Sequence, residues 1–170
     1  MSVRKQNKKK LQKFLVTFSR TLASIVIITV VLVLIPLTFP RLLGYQTYNV
    51  VSGSMEPEIP VGSLLFVESI DPYEVKEDDI ITFYSNATVV SHRVVRNNTF
   101  ESKFTTKGDA NEGVDINDVK YNELIGIVRY HLPLMGAVGA YISTWSGKLL
   151  IGEMIICAIL LYAVSAKIKI

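Results

Sequence analysis

Three kinds of residue, in chain order, carry the chemistry this sequence could do: Ser54 in VVSGSMEP (50–57), His92 in VVSHRVVR (89–96), and Asp109 and Asp115 in TKGDANEGVD (106–115). A serine hydroxyl becomes a nucleophile at neutral pH only when a base takes its proton and a carboxylate orients that base. Ser54 would attack, His92 would accept the proton, and one aspartate would hold the imidazole. The six-residue spacing of the aspartates leaves the choice between them open. Each residue also has a plainer use. A Gly-Ser turn closes a strand, a histidine on an apolar strand face bonds the backbone, and aspartates cap turns.

Other chemistries find less support. His92 and His131 are the only imidazoles, and Cys157 is the only thiol. No internal disulfide or cysteine-ligated metal is available, and no carboxylate spacing completes a zinc site. The expectation is a site with neither metal nor cofactor.

These residues need a frame, and the middle of the chain supplies one. Short alternating apolar runs predict strands at Thr47–Val51, Ser63–Glu68, Ile80–Tyr84, Val89–Arg96, Phe100–Lys107 and Leu124–Tyr130,. Turn chemistry separates them at Asp71-Pro72, Ser85-Asn86-Ala87, Asn97-Asn98 and Gly108-Asp109-Ala110-Asn111,. The predicted fold class is mainly β, a compact antiparallel domain. Alternation places His92 on one face with Val90 and Val94. Asn86-Ala87-Thr88 and Asn97-Asn98-Thr99 match the N-glycosylation pattern, which is frequent by chance and is given no function.

The two ends differ from this middle. Hydrophobic residues make up 49% of the chain, and their excess gathers in LASIVIITVVLVLIPLTF (22–39) and LLIGEMIICAILLYAVSA (149–166). Each is long enough to cross a bilayer core of roughly 30 Å. The first follows a lysine-rich segment (1–21) and the second precedes Lys167 and Lys169, so both termini are expected in the cytoplasm,. The competing reading of the first span is a cleaved secretory signal. Glu153, near the outer end of the second span, can reach interfacial water. Residues 41–130 then form a β-rich domain on the opposite side of the membrane. The segment 131–148, with Tyr141 and Trp145, is expected along the membrane surface or, alternatively, within the β-core.

This division reassigns the charge. The whole chain carries +3, but 41–148 holds nine basic and fourteen acidic side chains, a balance of −5. The basic excess belongs to the membrane segments, and a nucleic-acid partner loses its support.

SGSMEP (52–57), SHRVV (91–95) and TKGDAN (106–111), in that order behind an apolar span, resemble type I signal peptidases of the endoplasmic-reticulum type, found in eukaryotes, archaea and some Gram-positive bacteria. The resemblance covers about residues 50–128. It implies a membrane-bound serine endopeptidase that removes signal peptides from exported preproteins, with the lipid bilayer and the export machinery as further partners. By motif, Ser54 would be the nucleophile and His92 the base, where the ordinary bacterial branch has lysine. Asp115 matches the aspartate assigned to the triad in eukaryotic relatives, and Asp109 matches a second aspartate near the site. Ser52 matches a hydroxyl that helps form the oxyanion hole with the Ser54 backbone N–H. Two departures affect turns: Asp78-Asp79 stands where relatives often have Gly-Asp, and Gly62-Ser63-Leu64-Leu65 where many have Gly-Asp-Leu-Leu.

The substrate is expected to add as a strand to an exposed edge formed by Ile80, Ile81, Thr82, Phe83 and Tyr84, with shallow apolar pockets selecting small side chains. The alternative from another class is a catalytically inactive, membrane-tethered β-domain that binds a partner of the export machinery.

Overall fold

Helices α1 (Val3–Leu42), α2 (Met135–Ser143) and α3 (Trp145–Lys167) enclose, in sequence, seven strands: β1 (Gln46–Asn49), β2 (Leu64–Glu68), β3 (Ile80–Ser85), β4 (Thr88–Asn98), β5 (Lys103–Lys107), β6 (Val119–Lys120) and β7 (Leu124–Leu132). This computed structural model describes residues 3–86 and 88–168. It divides into two units, one holding α1 up to Pro36 together with the chain from Tyr141 onward, the other Leu37–Ala140.

In the first unit, α1 and α3 are long and apolar enough to cross a membrane. Helix α1 begins well before residue 22, because nothing between Val3 and Ile35 is glycine or proline and its Lys, Gln and Leu residues favour helix,. Two polar pairs join the helices: Arg20 Nε donates to Ser165 Oγ at 3.2 Å, and Ser24 Oγ meets Tyr162 Oη at 2.7 Å. Partners recede along α3 as positions advance along α1, so the helices are antiparallel. Fully buried Ala23 and Ala158 permit close packing,.

The second unit is a seven-stranded sheet in the order β1-β2-β7-β3-β4-β5-β6, antiparallel at every pairing. The mainly β, antiparallel expectation holds, and the six expected strands are present with shifted ends. β1 stops at Asn49, before Val50-Val51, and β5 starts at Lys103, since Phe100 is fully exposed in the preceding turn. The two-residue β6 is too short to leave an alternation.

Period-two side chains divide the apolar residues into two clusters. Ile81, Phe83, Val94, Phe104 and Val119 pack with Val75. Leu65, Val67 and Ile125 pack with Met55 and Ile59 from the segment just after Ser54.

The expected exposed edge at Ile80–Tyr84 is overturned by the sheet order. β3 pairs with β4 through Ile80–Ser85 and with β7 through Ile81–Phe83. Ile81, Thr82 and Phe83 are consecutively buried, as a central strand covered on both faces requires,. Among the described residues, the end strands β1 and β6 each have an unpaired side, and β4 has a further unpaired stretch, since β5 joins it only from Arg93 onward.

Both turn departures are absorbed locally. Gly62 has φ +84° and Asp78 φ +70°, so the aspartate adopts the left-handed conformation that glycine favours,. Ser63 is buried, and its hydroxyl donates to the Pro60 carbonyl at 2.6 Å.

Candidate active site

Ser54 sits in a turn held at its far side by the core. Met55 and Ile59 are buried, the Ile59 N–H donates to the Met55 carbonyl at 2.8 Å, and Glu56 N–H donates to Gly53 O at 3.0 Å. A methionine one residue from the serine therefore fixes the turn by burial, while Ser54 stays partly open to solvent. Sequence reasoning assigned Met55 no role, since a single apolar residue beside a turn carries no period.

His92 projects from β4 on the buried face, 9% exposed, with its ring edge-on to Phe83 at a centroid separation of 6.2 Å. Its Nε2 lies 3.2 Å from Ser54 Oγ, and its Nδ1 lies 2.6 Å from Asp115 Oδ2. One imidazole thus bridges a hydroxyl and a carboxylate from three separate segments.

β5 and its following loop deliver that carboxylate. Asp115 N–H donates to the Thr106 carbonyl at 2.8 Å, and Thr106 Oγ1 donates to Asp115 Oδ2 at 2.7 Å. Thr106 is completely buried beside Phe104 in the inward register of β5. A polar side chain in an inward position signals a bonded partner.

Asp109 is elsewhere. Both of its oxygens are taken by Arg93, Nε to Oδ1 at 2.8 Å and the terminal nitrogen to Oδ2 at 2.7 Å, while another Arg93 nitrogen donates to Asp78 O at 2.8 Å. The hydrogen bond with Asp109 raises the Arg93 guanidinium above its ordinary value, outweighing partial burial. Geometry therefore separates the two aspartates: Asp115 meets His92, and Asp109 meets Arg93.

Ser52 is exposed and lines, with Ser54, a cavity of about 100 Å³. Val50 and Leu65 form part of its wall, and Val89, Val90 and Ser91 of β4 close the other side. The cavity therefore abuts the unpaired edge of β4. Ile80 and Ile81 are absent from that wall, and Thr82 reaches the region only through its hydroxyl, 2.9 Å from Ser91 Oγ. Among the described residues, no cluster of His, Cys, Asp or Glu could hold a metal ion.

No family model matches the chain. Signal peptidase I W of Bacillus subtilis (strain 168) is 44% identical over 80 residues, which cover 45% of this chain and 42% of that protein. Over that stretch the chain is similar to a signal peptidase. Signal peptidase complex catalytic subunit SEC11 of Saccharomyces cerevisiae (strain YJM789) is 32% identical over 106 residues, covering 55% of this chain and 64% of the relative. The chain thus spans between two fifths and two thirds of the length of these curated relatives.

Proposed function

We propose that the chain is a membrane-bound serine endopeptidase that cuts signal peptides from exported preproteins after small side chains. The observation that carries this reading is the His92 ring bridging Ser54 Oγ at 3.2 Å and Asp115 Oδ2 at 2.6 Å. Homology to signal peptidases supplies the substrate class.

In the proposed reaction, His92 Nε2 takes the Ser54 proton as Oγ attacks the scissile carbonyl, and Asp115 stabilises the imidazolium. The Ser54 N–H and the Ser52 hydroxyl receive the developing oxyanion charge. His92 then returns the proton to the departing amine, and water resolves the acyl-enzyme. The segment before the cleavage site pairs with the free edge of β4 at Thr88–His92, and the adjoining small cavity accepts its small side chains,. α1 and α3 would hold the catalytic unit against the outer or lumenal face, both termini cytoplasmic, beside bilayer-embedded signal peptides and near the export machinery. Segment 131–148 would lie along that surface.

The test is preprotein processing by the full chain in proteoliposomes. Wild type should release the mature protein, whereas Ser54→Ala and His92→Ala should not; wild-type processing by either variant refutes the triad.

A further inference from the structure

We propose that two copies of the chain pair in the membrane through α3, with Lys148 of each copy bound to Glu153 of the other. This inference rests on the membrane placement of α3 and not on the peptidase chemistry. Lys148 and Glu153 are both exposed, and among the described residues neither enters an ion pair. Glu153 stands about two turns inside α3, in a stretch otherwise free of charge from Leu149 to Ala166,. A carboxylate facing acyl chains is costly, and such residues are normally paired within a helix bundle.

α3 has two lengthwise faces. One is taken: Ala158 and Ser165 are buried, and Ser165 and Tyr162 bond Arg20 and Ser24 of α1. The other holds Leu149, Gly152, Ile156, Ile159 and Ala163, spaced by three and four residues as a helix-pairing seam requires,. Ile156 precedes Ala158 by two residues, roughly 200° round the helix, so this seam points away from α1. Leu149, Ile156 and Ile159 are 49%, 58% and 59% exposed. At Gly152 nothing lies within 4 Å of where a Cβ would stand, and the glycine floors a groove of about 210 Å³ flanked by Lys148 and Glu153. A missing side chain there lets a second helix backbone come close.

The charges select the partner. Lys148 and Glu153 are five residues apart, roughly 140° round the helix, so they flank the seam and lie too far round to pair on their own helix. In a parallel helix pair, a side chain on one flank faces the neighbour's residue five positions further on, along the opposite flank. One helix thus supplies both cation and anion in the register that its own copy needs, the self-complementarity of a two-fold interface. Copies inserted the same way are parallel, so both ion pairs form together and cover the groove.

The test uses the full chain in proteoliposomes, labelled with donor or acceptor near its N-terminus, at falling protein-to-lipid ratios. Wild type and Ser54→Ala should show the same energy transfer, saturating as for a dimer. Lys148→Glu and Glu153→Lys should each weaken association roughly 10- to 100-fold, because like charges then face each other. Mixing those two variants, or combining both changes in one chain, should restore it. Gly152→Ile keeps every charge and raises hydropathy; it should weaken association by bulk alone, and it serves where a charge variant fails to insert. Transfer no greater than chance proximity, transfer untouched by either reversal, or reversals that mixing does not rescue would overturn the pairing; in the first case Glu153 faces lipid or another protein's helix. Vesicle flotation in alkali separates the remaining failure: a chain that does not float does not span the membrane, and placement and pairing fall together.

Discussion

His92 and Asp115 meet at 2.6 Å through Nδ1 and Oδ2, and that same carboxylate oxygen also accepts the Thr106 hydroxyl at 2.7 Å. The second bond restrains the carboxylate beside the imidazole. Asp115→Asn should lower kcat by on the order of 10⁴, because an amide cannot balance the imidazolium and favours the wrong tautomer. Thr106→Val keeps the shape but frees one carboxylate lone pair, and should cost roughly tenfold. Single-turnover rates for the two variants check the order. Equal rates would mean that Thr106 or Asp115 has been given the wrong part.

Ser52 faces the same cavity as Ser54 and stays exposed, as a donor waiting for a charge that arises only during reaction would be. Ser52→Ala should reduce kcat roughly 10²-fold without abolishing cleavage, in line with the loss of one oxyanion donor. A complete loss of acyl-enzyme formation, or no loss at all, would remove Ser52 from that role.

Much of this site was legible because its parts lie on a periodic scaffold. Val90, His92 and Val94 share a face, and the structure puts His92 beside Phe83 in that register. The two aspartates were not separable, because loop residues have no period and the deciding contacts, Thr106 with Asp115 and Arg93 with Asp109, are cross-segment hydrogen bonds. The placement of Ile80–Tyr84 failed for another reason. Alternation reports which face a residue occupies, whereas sheet order decides which strand is an edge, and β7 returns from the far end of the domain to cover β3. Phe83 and Thr82 belong to the core beneath the site.

Asn97, in a triplet given no function above, joins three segments of the domain. Its amide nitrogen donates to Pro72 O at 3.0 Å and Val75 O at 2.8 Å, and its oxygen accepts from the Tyr121 hydroxyl. Asn97→Ala leaves the Val75 carbonyl and a part-buried phenol without this partner and the Pro72 carbonyl with only the long bond from Val75 N–H, and should destabilise the domain by roughly 2–4 kcal/mol,. Thermal unfolding of the purified chain measures this. A change under about 0.5 kcal/mol would mean that water replaces all three bonds.

Asp78 carries its left-handed φ of +70° while, among the described residues, its carboxylate accepts no hydrogen bond and its carbonyl serves Arg93. Asp78→Gly keeps that carbonyl and relieves backbone strain. A stability gain of up to about 1 kcal/mol is expected, limited by the greater freedom of glycine when unfolded. A lower melting temperature would show that the carboxylate contributes through longer-range attraction to Arg93.

The free edge of β4 makes a prediction about substrate backbone. In an added strand only every second N–H faces its partner, so the two kinds of position are unequal. N-methylation scanned through the residues before the scissile bond should therefore depress kcat/KM in alternation, roughly 3- to 10-fold at each facing position and little between them. Enlarging the small residues should be worse wherever they enter the cavity of about 100 Å³ beside Val90 and Ser91. The measurement is a peptide series with one methyl moved at a time. A smooth decline without period two would mean that substrate reaches Ser54 without pairing to Thr88–His92, and would return the question of its path to the loops around the cavity.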